Sequence, residues 1–361
     1  CTGLEQAAAV HQRHDGEHLG GGADLEDGEE VGEVVAQHVA GHRDGVLAVL
    51  DALQAELSSR RDIVEHALEE LVQSELAGPS SDAMRMARSI LMAGGKRWRP
   101  VLTLLAHEAA GGDSHAQILD LALSFELIHT ATLVHDDLND GARLRRGAPT
   151  LHTTYGDAEA IVVGDYLFAI GFGLGAKSED RIVYAVMRTC SAIAAGELKQ
   201  MQHIRDLTTR PEDYDEIVRG KTAGPFSIAC GSAAVVAGAS EEIVSHLEAF
   251  GMGIGIAFQM VDDLLDLTGD LQMGKPRGTD VHEGKMTLPL IHALTMLHGE
   301  SRDRIAEILA DFNDSYWDEL LALLEEAGSL EYTMNLIERG AFKFFNFIFY
   351  YSNVFKFFQN F

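Results

Sequence analysis

Two aspartate clusters share one internal spacing, Asp136-Asp137-Leu138-Asn139-Asp140 and Asp262-Asp263-Leu264-Leu265-Asp266. In each, the first and last carboxylates stand four residues apart. On a helix they share a face one turn apart, with roughly 6 Å between Cβ atoms. Such a pair repels itself unless cations intervene. A hard divalent ion that keeps several waters and takes one or two carboxylates alongside substrate phosphates suits this geometry, which is the behaviour of Mg²⁺. The implied ligand is a diphosphate. A single DDxxD reads as readily as a solvated acidic face. Two copies, each after an apolar run (Leu121 to Val134 and Gly255 to Val261), place the acids at the ends of buried helices instead. Gly141 stops the first of them. A helix C-terminus carries partial negative charge, so acids there are unfavourable without a compensating cation.

A chain of formal net charge −28 repels a diphosphate at long range, so such a ligand needs concentrated local cations. Gly94-Gly95-Lys96-Arg97-Trp98-Arg99-Pro100 packs three between two glycines and a helix-initiating proline. Arg145-Arg146-Gly147 closely follows the first acidic cluster. Arginine binds phosphate as a planar fork and lysine as a point charge, the part open to Lys221, Lys275 and Lys285. Each alone reads as a surface cation, but beside two metal clusters they read as phosphate ligands.

Seven segments in order carry a family resemblance: GGKRWRP at 94–100, FELIHTATLVHDDLND at 125–140, RRGAPT at 145–150, GDYLFA at 164–169, GKTA at 220–223, GIAFQMVDDLLD at 255–266 and GKPRGTDVHEGKMTLPLI at 274–291. From about residue 44 to 340 the chain resembles the trans-isoprenyl diphosphate synthases, or polyprenyl synthetases, and within them the bacterial medium- and long-chain type. The resemblance implies that Asp136 and Asp140 hold two Mg²⁺ ions, and that Asp262, with Asp266 in the same cluster, helps hold a third. It assigns Lys96, Arg99, His129 and Arg146 to isopentenyl diphosphate. Arg145, Lys221, Lys275 and Lys285 go to the allylic diphosphate, and Thr222 and Gln259 lie near the developing carbocation. The reaction implied is ionisation of the allylic diphosphate, attack by the alkene of isopentenyl diphosphate, and loss of a proton. Metal and cations stabilise the leaving diphosphate, and no protein nucleophile is needed. Accordingly there is no serine elbow, no Cys–His signature and no nucleotide fingerprint; Gly251, Gly253 and Gly255 read as close helix packing.

Two rivals are separable in sequence. A terpene cyclase needs no isopentenyl pocket, whereas Lys96, Arg99, His129 and Arg146 are all present. A non-catalytic subunit of a heteromeric synthase is expected to lose an acidic cluster, and both are intact.

The elements that must position these groups read as helices over 45–77, 83–92, 100–111, 115–139, 157–176, 181–206, 213–237, 241–267, 287–298, 302–312 and 316–339. The fold class is all-α: a single large helical bundle with a central cavity, in which acidic clusters starting 126 residues apart face each other from different helices. Of three cysteines, Cys1, Cys190 and Cys230, the latter two fall in apolar helical segments that suit buried free thiols, and so low a count fits a cytoplasmic location. No nucleic-acid partner is indicated; a homodimer is expected, and the lipophilic product draws the enzyme toward a membrane surface. Residues 1–43, rich in Gly, Glu and His (His11, His14, His18, His38, His42), read as a disordered or spurious extension. The Phe- and Tyr-rich stretch 341–361 reads as a foreign or frame-shifted tail.

Product length is expected from the residues before the first acidic cluster. Ala131 lies five residues before Asp136, roughly 7.5 Å down the helix axis. Short-chain members of the family tend to place an aromatic floor there. Ala131 and Thr132 are small, so the expected product exceeds C20, about C30 to C50, as used in quinone side chains; the alternative is a farnesyl or geranylgeranyl diphosphate synthase, stopped by a floor deeper in the bundle.

Overall fold

The computed structural model describes residues 54–269 and 278–351, with side chains described through 340. The body of the molecule is the unit Leu57–Phe361. Its first helices are α1 (54–76), α2 (Ser81–Leu91), α3 (Trp98–Ala109) and α4 (Leu119–Asn139). After a short hairpin come α5 (Leu151–Tyr155), α6 (Asp157–Gly175), α7 (Asp180–Gln202) and α8 (Pro211–Val218). A π turn, Arg219–Ala223, joins α8 to α9 (Gly224–Val236), followed by the long α10 (Glu241–Thr268). The chain continues through α11 (Thr279–Glu283), α12 (Leu288–Met296), α13 (Gly299–Ala310), α14 (Trp317–Glu326) and α15 (Ser329–Tyr351). The molecule is all-α, as the sequence suggests.

Two helices are buried along most of their length and therefore central. Along α4, residues 121–128 are buried without interruption, and α9 buries nine of its positions from Pro225 to Ala234. Glycines let neighbouring helices come close. A Cβ on Gly251 would sit 2.3 Å from the Phe226 carbonyl oxygen, and one on Gly255 2.4 Å from Ala223 Cα, so α10 lies directly against α9 and the π turn. The core of α1–α9 is continuous, from Val64 and Leu68 through Leu121, Leu127 and Val134 to Phe226 and Ala233. A second cluster around Leu290, Ile305, Trp317, Leu320 and Leu324 binds the C-terminal helices together.

The strands are two residues each, Leu144–Arg145 and Ala148–Pro149, paired antiparallel with Leu144 opposite Pro149. Arg146 and Gly147, at φ 52° and 79°, make the turn. Gly328, at φ 63°, separates α14 from α15 where the sequence pattern suggests one helix over 316–339. Helix α15 then runs on past Ala341 to Tyr351. The N-terminal extension with its histidines, and Lys275, lie outside the described residues.

Candidate active site

The two acidic clusters occupy the C-terminal turns of α4 and α10. Lys221, offered by the π turn, lies 3.8 Å from Asp136 Oδ2; it also contacts Glu197 on α7 and donates to Gln200 Oε1 at 2.9 Å. Lys285 donates to Asp140 Oδ2 at 3.3 Å and lies 3.9 Å from Asp280 Oδ1. Lys221 and Lys285 thus stand among the acids of the first cluster. Burial, followed by the neighbouring Glu197 and Asp140, drives the Asp136 carboxyl up to about 6 against the pull of Lys221. Burial pulls the Lys285 ammonium down, but hydrogen bonding to Glu283 and the charges of Asp140 and Asp280 outweigh it and raise the group above its usual range.

The middle acids do different work from the flanking ones. Asp137 is 1 % exposed and takes Arg145 Nε at 2.7 Å on Oδ1, while its Oδ2 has no hydrogen-bond partner. Asp263 is equally buried; Oδ2 accepts from the Tyr214 hydroxyl at 2.6 Å and Oδ1 from Gln259 Nε2 at 2.9 Å. Gln259 Oε1 in turn accepts from Thr222 Oγ1 at 2.9 Å. Asp266 is turned to α11, accepting from the backbone N–H of Thr279 at 2.9 Å and of Asp280 at 3.1 Å. Asp262 is half-buried one turn before it on α10.

Asp280 is a site residue that the sequence pattern did not single out. Burial, then the charges of Asp266 and Asp263, push its carboxyl up to about 7, so it belongs electrostatically to the second cluster. The signal lies in the segment GTDVHEGK, where the lysine is the more conspicuous phosphate ligand.

A second group gathers around the start of α3. Arg97 is the buried one: it binds Glu65 Oε1 at 2.8 Å and Glu126 Oε1 at 2.6 Å and closes α2 through the Leu91 carbonyl. Its left-handed φ of 50° turns it inward, leaving Lys96 exposed to solvent. Arg99 stacks over the Phe226 ring at 4.7 Å, and burial lowers its guanidinium to about 10. Arg146 donates to the Gly94 carbonyl and rests on Gly95, where a Cβ would come within 2.8 Å of its Nη1. Burial, and then Arg99, Arg146 and Arg145, hold the His129 imidazole well below its usual range, so it is neutral near pH 7.

Arg99, His129 and Lys221 line one cleft. Its wall descends α4 through Thr132, His129, Ile128 and Phe125, and faces Val186, Cys190 and Ile193 of α7. Thr132 lines it; Ala131, fully buried, does not. The charged mouth and apolar shaft suit an amphiphile with an anionic head.

The donor set fits a hard divalent cation: carboxylate oxygens flanked by two lysines, with a buried orphan oxygen on Asp137 behind them. Among the described residues no three His, Cys, Asp or Glu side chains already surround one point.

A helical bundle with facing acidic clusters, interleaved lysines and an apolar shaft defines a synthase that handles diphosphates of apolar chains. The family model described as Polyprenyl synthetase matches residues 81–324. The chain is 37 % identical over 268 residues to the all-trans-nonaprenyl-diphosphate synthase (geranyl-diphosphate specific) of Rhodobacter capsulatus, covering 74 % of this chain and 82 % of that one. It is 34 % identical over 303 residues to the geranylgeranyl diphosphate synthase of Methanosarcina mazei, covering 81 % and 91 %. The crystal structure of polyprenyl synthase from Caulobacter crescentus CB15, complexed with calcium and isoprenyl diphosphate, superposes with a TM-score of 0.75 at 32 % identity, covering 81 % and 90 %. The chain belongs to the polyprenyl synthetase family and is a transferase of prenyl groups.

Proposed function

We propose that this transferase condenses isopentenyl diphosphate with an allylic diphosphate to give a longer trans-polyprenyl diphosphate, at the site between α4 and α10. The observation that carries the reading is the interleaving of Lys221 and Lys285 with Asp136 and Asp140, Lys221 itself lining the apolar cleft. Asp136, Asp140 and Asp262, with Asp266 beside them, are the carboxylates that would hold Mg²⁺, about three ions by family likeness. When bound, Mg²⁺ neutralises the charge that develops on the leaving diphosphate.

The chain's own residues do the rest. Lys221, Lys285, Lys275 and Arg145 hold the allylic diphosphate so that, as its C–O bond breaks, the electron pair stays on oxygen. Thr222 and Gln259 turn oxygens toward the cationic carbon. Lys96, Arg99, Arg146 and the neutral His129 hold isopentenyl diphosphate so that its alkene supplies the pair for the new C–C bond; loss of a proton restores a double bond. The catalytic body comprises residues 44–340, working as a cytoplasmic homodimer whose product partitions to a membrane surface. Thr132, the small residue of α4 that lines the cleft, supports a product of about C30 to C50.

The test is turnover with isopentenyl diphosphate, allylic primers and Mg²⁺, followed by product chromatography. Asp136→Ala and Asp262→Ala should each abolish it, and EDTA should stop it reversibly. Near-normal turnover by either variant removes the two-cluster site.

A further inference from the structure

The hydrogen bonds that fix Gln259 continue to a residue outside every motif. Tyr214 donates to one oxygen of Asp263 at 2.6 Å, Gln259 Nε2 donates to the other at 2.9 Å, and Thr222 Oγ1 donates to Gln259 Oε1 at 2.9 Å. A carboxylate accepts and a tyrosine hydroxyl held against it donates. The Gln259 amide is thereby locked: its nitrogen must face Asp263 and its oxygen Thr222. The Thr222 proton is committed as well, so its Oγ1 has only lone pairs left to present to the cleft.

Tyr214 closes this chain into a ring. It sits on α8, which leads through the π turn directly to Thr222, while its hydroxyl reaches across to α10, which carries Gln259 and Asp263. Tyr214 and Asp263 are 7 % and 1 % exposed, so water is poorly placed to replace either bond. A π turn inside a helical run widens the helix and is favoured where function needs a side chain aimed. Tyr214 braces the helix before that turn.

We propose that Tyr214 is a positioning residue for the reaction: through Asp263 it holds Gln259 and Thr222 with their oxygen lone pairs toward the carbon that becomes cationic. This rests on the proposed placement of Thr222 and Gln259 at that carbon. The competing role is packing, since Tyr214 also belongs to a small buried cluster with Val218, Leu288 and Ile291. The two roles part at the hydroxyl, which packing does not need.

The experiment is a double-mutant cycle between Tyr214→Phe and Gln259→Ala, read as single-turnover rates by rapid chemical quench with Mg²⁺ and both substrates saturating. Loss of one charge-assisted hydrogen bond should slow Tyr214→Phe by about ten- to a hundredfold, with both Michaelis constants within about twofold of wild type. Gln259→Ala should also be slow. The double variant should be within about twofold of Gln259→Ala, because the tyrosine then has nothing left to orient. A wild-type rate for Tyr214→Phe with only a lowered melting temperature, or defects that multiply in the double variant, overturns the inference while leaving the site reading intact. A wild-type rate for Gln259→Ala overturns the site reading and the inference with it. Should Tyr214→Phe fail to fold by circular dichroism, Tyr214→Leu, which also fills the apolar cluster without a hydroxyl, replaces it in the same cycle with the same criteria.

Discussion

Arg99, His129 and Lys221 face one cleft, and burial, then the field of the arginines, decides the charge of the histidine. His129 is depressed by burial and then by Arg99, Arg146, Arg145 and Arg97. In the unfolded chain it takes up a proton near its ordinary 6.5, while the folded protein refuses that proton until much lower pH. Its contribution to stability is therefore complete above about 6.5 and is lost as pH falls from there toward the depressed folded value. The slope is at most about 1.4 kcal/mol per pH unit for one group. His129→Gln, uncharged throughout, should flatten the fall in melting temperature between pH 7 and 5. An identical pH profile for the variant would mean that the imidazole is not held neutral. At this scale the acidic motifs were legible because their spacing is their chemistry. The separate employment of Asp137 and Asp263 was not legible, because it depends on Arg145 and Tyr214, whose approach is a matter of tertiary packing.

Among the elements, α4 and α7 form the shaft, and their register decides which residue sees the product. Thr132, His129 and Phe125 recur at three- and four-residue intervals from Asp136, so they share its face; Ala131 is turned into the core. The sequence expectation weighted Ala131 by its distance along the axis, and the face was settled by packing. Phe125 lies eleven residues before Asp136, about 16 Å down the axis, and is the aromatic on the α4 side of the cleft. Thr132→Tyr should shift the products to shorter alcohols and Phe125→Ala to longer ones, read by chromatography after dephosphorylation. Unchanged distributions in both would remove this face of α4 as the length gauge. Helices were legible because their apolar periodicity is strong and their stops are Gly, Pro or polar. The π turn, the short α11 and the break at Gly328 were not: each spans five residues or fewer, below the reach of periodicity, and α11 is held from elsewhere by Asp266.

The whole molecule combines a strong net charge of −28 with an apolar stripe on α7, where Tyr184, Met187, Leu198 and Met201 are 57, 46, 61 and 43 % exposed. Positions 184 and 198, like 187 and 201, are fourteen residues apart, close to four helical turns, so these side chains lie along one face. Ile161 and Val162 of α6 are exposed as well. A patch of this kind marks an association surface, and a two-fold axis lets the same stripe meet itself. The proposed dimer then brings together two copies that repel through their net charge. Apolar burial is insensitive to moderate salt, whereas repulsion between exposed charges is screened beyond about 10 Å at 0.1 M ionic strength. The dimer should therefore tighten as salt rises from low to physiological concentration, opposite to an assembly held by ion pairs. Sedimentation equilibrium at several ionic strengths reads the direction, and Met187→Glu combined with Leu198→Glu should leave a folded monomer. A monomeric wild type at every salt concentration, or a dimer that persists in the double variant, would place any association elsewhere than on this stripe.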